Sequence, residues 1–256
     1  MVMARQGTQS PGSAGNTRHR TSRAAVDSLR YGDSRAAILA ATGERVSKYG
    51  PGAVLIGELC QQLGVSPSLV NYHFGNRNRL LAEAVVHEME ECVAEMNRIT
   101  YAVTDDPVHQ LRARIEFRLA WTAVHPGIEA MTNYAFVMDP AGEILSGDME
   151  SRIGQVTASD LAGLHAALFG IFEGRPRSGP ASQTEMLSVP DLIELTAFVA
   201  LSVLGVMTWA TGQHPSNRTL DDEQTDVSRN IQRSFVDRLI RHVLADIDGI
   251  RARNQR

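Results

Sequence analysis

Hydrogen-bonding and aromatic side chains crowd the stretch from Ser66 to Arg77: Ser66, Ser68, Asn71, Tyr72, His73 and Arg77, with Pro67 among them. The chemistry open to this set is recognition. An Asn amide offers a paired donor and acceptor that matches an adenine edge, and a Ser hydroxyl serves either role. Tyr72 and His73 can reach a phosphate or lay a ring on a thymine methyl. No Ser or Cys stands in a nucleophile setting and no glycine-rich phosphate loop occurs. The histidines at 87, 109, 125, 165, 214 and 242 do not fall at metal-ligand spacing. The expectation is a protein that is not an enzyme, with no catalytic residue, metal or cofactor.

The elements that must position these side chains are legible around them. Ile56 to Leu63 predicts a short helix, ended at Gly64, where a residue of positive φ is wanted. Ser66 can cap a second helix over 67–74, with Pro67 at the first position, where its missing N–H costs nothing. Asn76 caps a longer helix from Arg77 to about Ile99. Two helices this short, joined by a glycine turn, match the helix-turn-helix unit that lays its second helix in the DNA major groove. Val65, Val70 and Phe74 repeat at the spacing of the inward side. Ser66, Pro67, Ser68, Asn71, Tyr72 and His73 are left for the groove, and the helix N-terminus turns its free N–H groups toward phosphate.

Charge position supports the same reading better than net charge does. The 256 residues carry −4 overall, yet residues 1–33 hold five Arg against Asp27 and Asp33, and Arg77 and Arg79 are the only charges within 59–82. The acids Glu83, Glu88, Glu90, Glu91 and Glu95 come later, away from the reading surface. Cys60 and Cys92 sit in apolar helical patterns and read as buried thiols in a reducing cytoplasm. No apolar segment follows the early Arg residues as a signal peptide would require. Leu192–Thr211 is long enough to span a bilayer, but Glu194 and small polar residues interrupt it, so a buried core helix is expected and no membrane.

The whole chain reads as all-α. Residues 1–33 are poor in large apolar groups and form a disordered basic tail, either a solvated extension or an arm that enters an adjacent groove. A first helix is expected over Ser34–Tyr49, with Ile38, Ala41, Val46 and Tyr49 as its apolar face. Further helices follow at about 108–124, 128–138, 143–172, 190–212 and 222–248, with a mobile loop over 173–190. The last helix repeats Val227, Ile231, Phe235, Leu239 and Val243, a stripe broad enough to serve a second subunit. Phe117, Trp121, Tyr134, Met207 and Trp209 lie on helices able to surround a cavity for an apolar or planar ligand.

From Ile38 to Ala84 the sequence resembles the DNA-binding domain of the TetR (tetracycline-repressor-like) family of transcription regulators. The resemblance rests on Ile38-Leu39, Ala41 and Gly50, then Ile56, Leu59 and Gly64-Val65-Ser66, then Tyr72-His73-Phe74, Asn76-Arg77 and Leu80-Leu81. It implies a helix-turn-helix domain over 34–94 and a helical-bundle ligand-binding and dimerisation domain over 95–256. It also implies a homodimer on double-stranded operator DNA, a repressor released by a small-molecule effector that shifts the 77–99 helix. An activator, a regulator without a ligand, or an all-α membrane-associated interaction protein are the competing readings. Arg77 stands where the family usually has Lys, as a phosphate contact. Val54 and Gly57 replace the Thr and Arg common near the start of the second helix, and Pro51 replaces an aromatic, so fewer phosphate contacts are expected.

Overall fold

A computed structural model of the chain describes residues 31–128, 148–212 and 222–255. Every regular element among the described residues is helical, as expected. A head is formed by α1 (Tyr31–Tyr49), a 3-10 turn (Pro51–Ala53), α2 (Ile56–Leu63) and α3 (Pro67–Phe74). A long α4 (Arg77–Ala102) leads into a body of α5 (Pro107–Val124), α6 (Asp148–Glu173), α7 (Gln183–Ser188), α8 (Pro190–Gly212) and α9 (Asp222–Asn254).

The helix ends lie where local chemistry puts them. Gly64 closes α2 at φ 67°, a conformation that needs no β-carbon. The Ser66 hydroxyl accepts the Leu69 N–H at 3.3 Å, with Pro67 at the first position of α3. Asn76 caps α4 by accepting the Arg79 N–H at 2.9 Å, and Asp106 caps α5 by accepting the Val108 N–H at 2.7 Å.

Three apolar clusters set the layout. The head closes on Ile38, Leu59, Val70, Phe74 and Leu80. The body closes on a larger set that includes Leu111, Ile115, Leu168, Val199, Val243 and Ile247. Between them lies a joint of Val46, Val54, Leu81, Val85 and Ile128, with Met89 and Trp121 packed against it. α4 contributes Leu80 to the head and Leu81 and Val85 to the joint, and its Val93 and Met96 pack with Val156 of α6 in a further cluster beside the body core. A shift of this one helix therefore reaches the head, the joint and the α6 side of the body.

Several expectations are corrected. α1 begins at Tyr31, so the last residues assigned to the tail are helical; residues 1–30 lie outside the described residues. Tyr49 is 61% exposed and takes no part in the apolar face of α1. The stretch 173–190 is not all loop. Ser182 and Glu185 form a reciprocal capping box that starts α7, a signal present in the sequence as Ser-Gln-Thr-Glu. α9 runs on to Asn254 and buries Ile250. The expected helix over 128–138 falls, after Ile128, outside the described residues.

The expected burial of the 192–211 helix holds for one face of α8. Leu192, Leu195, Val199, Val203 and Met207 are buried in the body core, whereas Ile193, Phe198, Leu201 and Leu204 are exposed. One helix of the described residues, Pro190–Thr208, is long and apolar enough to cross a membrane by length and composition. Spanning would strip its inner face from the core.

Candidate nucleic-acid interface and internal cavity

The outer edge of α3 is built as the sequence predicted. Val70 and Phe74 are buried and Val65 packs against the same cluster. Ser66, Pro67, Ser68, Asn71 and Tyr72 are exposed, Tyr72 by 68%. The Ser66 and Ser68 hydroxyls lie 2.8 Å apart, so the α3 N-terminus presents a paired hydroxyl edge. His73 is only half exposed: its Nε2 is 3.1 Å from the hydroxyl of Ser34, which is itself buried. That contact ties α3 to α1 and restricts His73 to an edge role.

Arg77 has a different setting from the one expected. Its Nε donates to the Val54 carbonyl at 3.0 Å, and a terminal nitrogen donates to the Pro51 carbonyl. The guanidinium thus satisfies two carbonyls at the turn between α1 and α2, groups that would otherwise need water or another donor. Val54 is fully buried in the joint, which accounts for an apolar residue where a backbone-gripping one was expected. Gly57 opens onto free space, since a β-carbon there would meet nothing within 4 Å.

The head is held in place by ionic contacts that sequence reasoning missed. Glu83, one of the acids that follow the reading surface in sequence, is buried on α4 and receives guanidinium groups from Arg35 of α1 and, at 3.1 Å, from Arg79. Arg79 also donates to Asp148 at the start of α6, at 2.6 Å, and holds that carboxyl below the usual carboxylate range. The Arg35 guanidinium lies 4.9 Å above the Phe74 ring. Arg45 reaches Glu58 at 3.2 Å and Gln62 at 2.8 Å, joining α1 to α2. Apart from Arg79 and Glu83, no local pattern marks these partners, because each pair is far apart in sequence.

A cavity of about 260 Å³ lies among α4, α5, α6 and α8. Met89, Val93, Met96, Ile115, Leu164 and Met207 supply apolar walls; Arg114, Arg118 and Asp160 supply charge. Of the five residues expected to line a ligand site, Met207 borders this cavity. Phe117 packs behind the wall on Val93, Met96 and Val156. Trp121 faces the joint instead, stacked on His125 with ring centroids 4.2 Å apart. One helical turn separates Phe117 from Trp121, yet the α5 axis directs them to different clusters. Tyr134 and the Trp209 side chain lie outside the described residues.

The dimer stripe is divided too. Leu239 and Val243 are buried in the protomer's own core and are unavailable to a partner. Ile231 and Phe235 line an open groove beside Ser234 and Arg238, while the Val227 side chain lies outside the described residues. Among the described residues, Ile193, Phe198, Leu201 and Leu204 form an exposed apolar face on α8. Among the described residues, no group of three or more His, Cys, Asp or Glu is placed to hold a metal ion.

Fold and edge together define a class: a helix-turn-helix head carried on a helical body. No protein-family model and no curated protein matches the sequence. Solved structures share the fold. The TetR-family transcriptional regulator PfmR of Thermus thermophilus aligns with a TM-score of 0.50 at 16% identity, over 78% of this chain and 97% of its own. SCO7222, a TetR from Streptomyces coelicolor, aligns with a TM-score of 0.50 at 14% identity, over 85% of this chain and 97% of its own. The chain has the fold of TetR-family transcriptional regulators.

Proposed function

We propose that the protein is a sequence-specific DNA-binding transcriptional regulator of the TetR type, a cytoplasmic homodimer that represses until a small-molecule effector releases it. The observation that carries this is the α3 edge, where Ser66, Ser68, Asn71 and Tyr72 are exposed on a helix whose other side is locked by Val70 and Phe74. Base contacts come from Asn71 and the two serines; phosphate contacts come from the α3 N-terminus and Tyr72. The head over 34–94 reads one half-site, and the body over 95–256 binds effector and partner.

Pairing of protomers is supported by the outer face of α8, where Phe198 and Leu201 leave large apolar area in water. A two-fold dimer that reads a palindromic operator must hold its α3 helices about 34 Å apart, one turn of the duplex. Release requires an effector that favours one separation, through a coupling free energy typically ~1–3 kcal/mol. Met89, Val93 and Met96 place α4 itself in the cavity wall, which gives an effector a direct handle on the head.

Selection from random duplex DNA tests the reading. A palindrome with half-sites about one helical turn apart is the expected result, and a pool with no enriched sequence overturns it. The apolar length of α8 leaves one rival, a membrane-associated protein, although spanning would cost the helix its buried inner face. Persistence in membranes after salt washing, together with failure to select DNA, would establish the rival instead.

A further inference from the structure

Among the described residues, Arg118 sits at the cavity wall without an ionic partner. Its terminal nitrogen donates to the Cys92 Sγ at 3.2 Å and its guanidinium lies 5.7 Å from the Trp121 ring centroid. Sulfur is a weak acceptor, and burial pushes the Cys92 thiol up, so this partner is neutral. The other cavity charges cancel. Arg114, 2% exposed, donates to the Asp160 carboxylate at 2.6 Å, to the Asp160 carbonyl at 2.7 Å and to Asn97 at 2.7 Å. Gly163 makes room for this arrangement, since a β-carbon there would fall 2.7 Å from an Arg114 nitrogen. Among the described residues the cavity therefore carries one unbalanced positive charge, on the half-buried Arg118, at the edge of its apolar walls.

We propose that the cavity takes a compact organic monocarboxylate with an apolar body, and that Arg118 is the residue that recognises its carboxylate. An isolated buried carboxylate is costly unless paired, and a guanidinium presents a planar fork of donors that matches two carboxylate oxygens. A single excess charge suits a monoanion. At about 260 Å³ the cavity exceeds the roughly 150 Å³ of an apolar cavity that takes up benzene, room for an acid between benzoate and octanoate in size. Met89, Met96, Ile115 and Leu164 would hold the apolar body. Drawing Arg118 onto a ligand loosens its hold on Trp121, whose ring is stacked on His125 and packed against the joint below the head. Occupancy of the cavity is thereby linked to the seat of α1.

This rests on the cavity being the effector site, and calorimetry on the free protein, without DNA, separates the two ideas. Benzoate, hexanoate and octanoate are each titrated beside their own primary amides. At least one carboxylate is expected to bind ten-fold or more tighter than its amide, with Arg118→Gln abolishing that preference and Arg118→Lys keeping part of it. The amide comparison needs no variant and stands if Arg118→Gln misfolds. Equal binding of acid and amide, no binding of any acid, or an undiminished preference in folded Arg118→Gln would overturn the proposal. A neutral compound that lowers operator affinity, with every acid bound no better than its amide, would overturn it while leaving the effector site in place.

Discussion

Gly127 lies so close to Val46 that a β-carbon on it would come within 1.8 Å of the Val46 carbonyl oxygen and 2.7 Å of the Gly50 nitrogen. This is where the chain leaving α5 meets the end of α1, so the body touches the head backbone to backbone. Beside it, Ile128, Val46 and Val54 fill the joint, and Trp121 closes its edge. The head is thus seated by a contact that only glycine permits, reinforced by the Arg79–Asp148 ion pair.

Gly127→Ala is expected to unseat the head, because backbone on both sides cannot yield as a flexible side chain would. Overpacking of this kind costs typically ~1–3 kcal/mol. Thermal unfolding should fall accordingly and operator affinity should change with it. An unaltered melting curve would mean that the contact relaxes freely.

Asn71→Ala should leave stability nearly unchanged, since the side chain is exposed. On the operator it should cost ~1–3 kcal/mol and relax the preference at one base position in each half-site. Unchanged preference in a repeated selection would remove Asn71 from base reading.

Arg77→Ala is expected to destabilise the protein without DNA present, by about 1–3 kcal/mol, since the Val54 and Pro51 carbonyls lose a charged donor. Denaturant titration measures this. If stability holds while affinity for all DNA sequences drops alike, the guanidinium serves phosphate and not the turn.

Leu201 and Leu239 should behave oppositely. Leu201 is 68% exposed on α8, so Leu201→Asp should yield a folded monomer by sedimentation. Leu239 is buried within the protomer, so Leu239→Ala should cost ~2–5 kcal/mol of stability through the cavity it leaves. A dimeric Leu201→Asp protein would move the interface off α8.

His165 gives the stability a pH dependence. It is fully buried between α6 and α8, its Nδ1 is 3.0 Å from the Thr196 hydroxyl, and its Nε2 has no partner among the described residues. Burial lowers its pKa from the ordinary 6.5, so the unfolded chain binds a proton that the folded chain resists. This contribution is fully present above pH 6.5 and is lost as pH falls below it. Melting temperature should decline on that side, and a His165→Asn variant should show a flatter decline.

What the sequence determined by itself is what neighbouring residues decide among themselves. Gly64, the Ser66–Pro67 pair and Asn76 end and start helices through contacts between near neighbours in the chain, so their roles were legible. The split of α3 into an inner and an outer edge was legible too, because one partner core covers one stripe. The capping box at Ser182 and Glu185 was equally local and was passed over inside a loop-like composition. Tertiary structure alone decided where a helix with apolar groups on several sides would turn them. α9 buries Leu239 and Val243 in its own core, and α8, apolar on more than one side, keeps Phe198 and Leu201 outside. The same holds for Arg77, Arg79 and Arg118. A long cation has no local signature for its partner, and whether it meets carbonyls, carboxylates or a thiol depends on chain segments that only folding brings within reach.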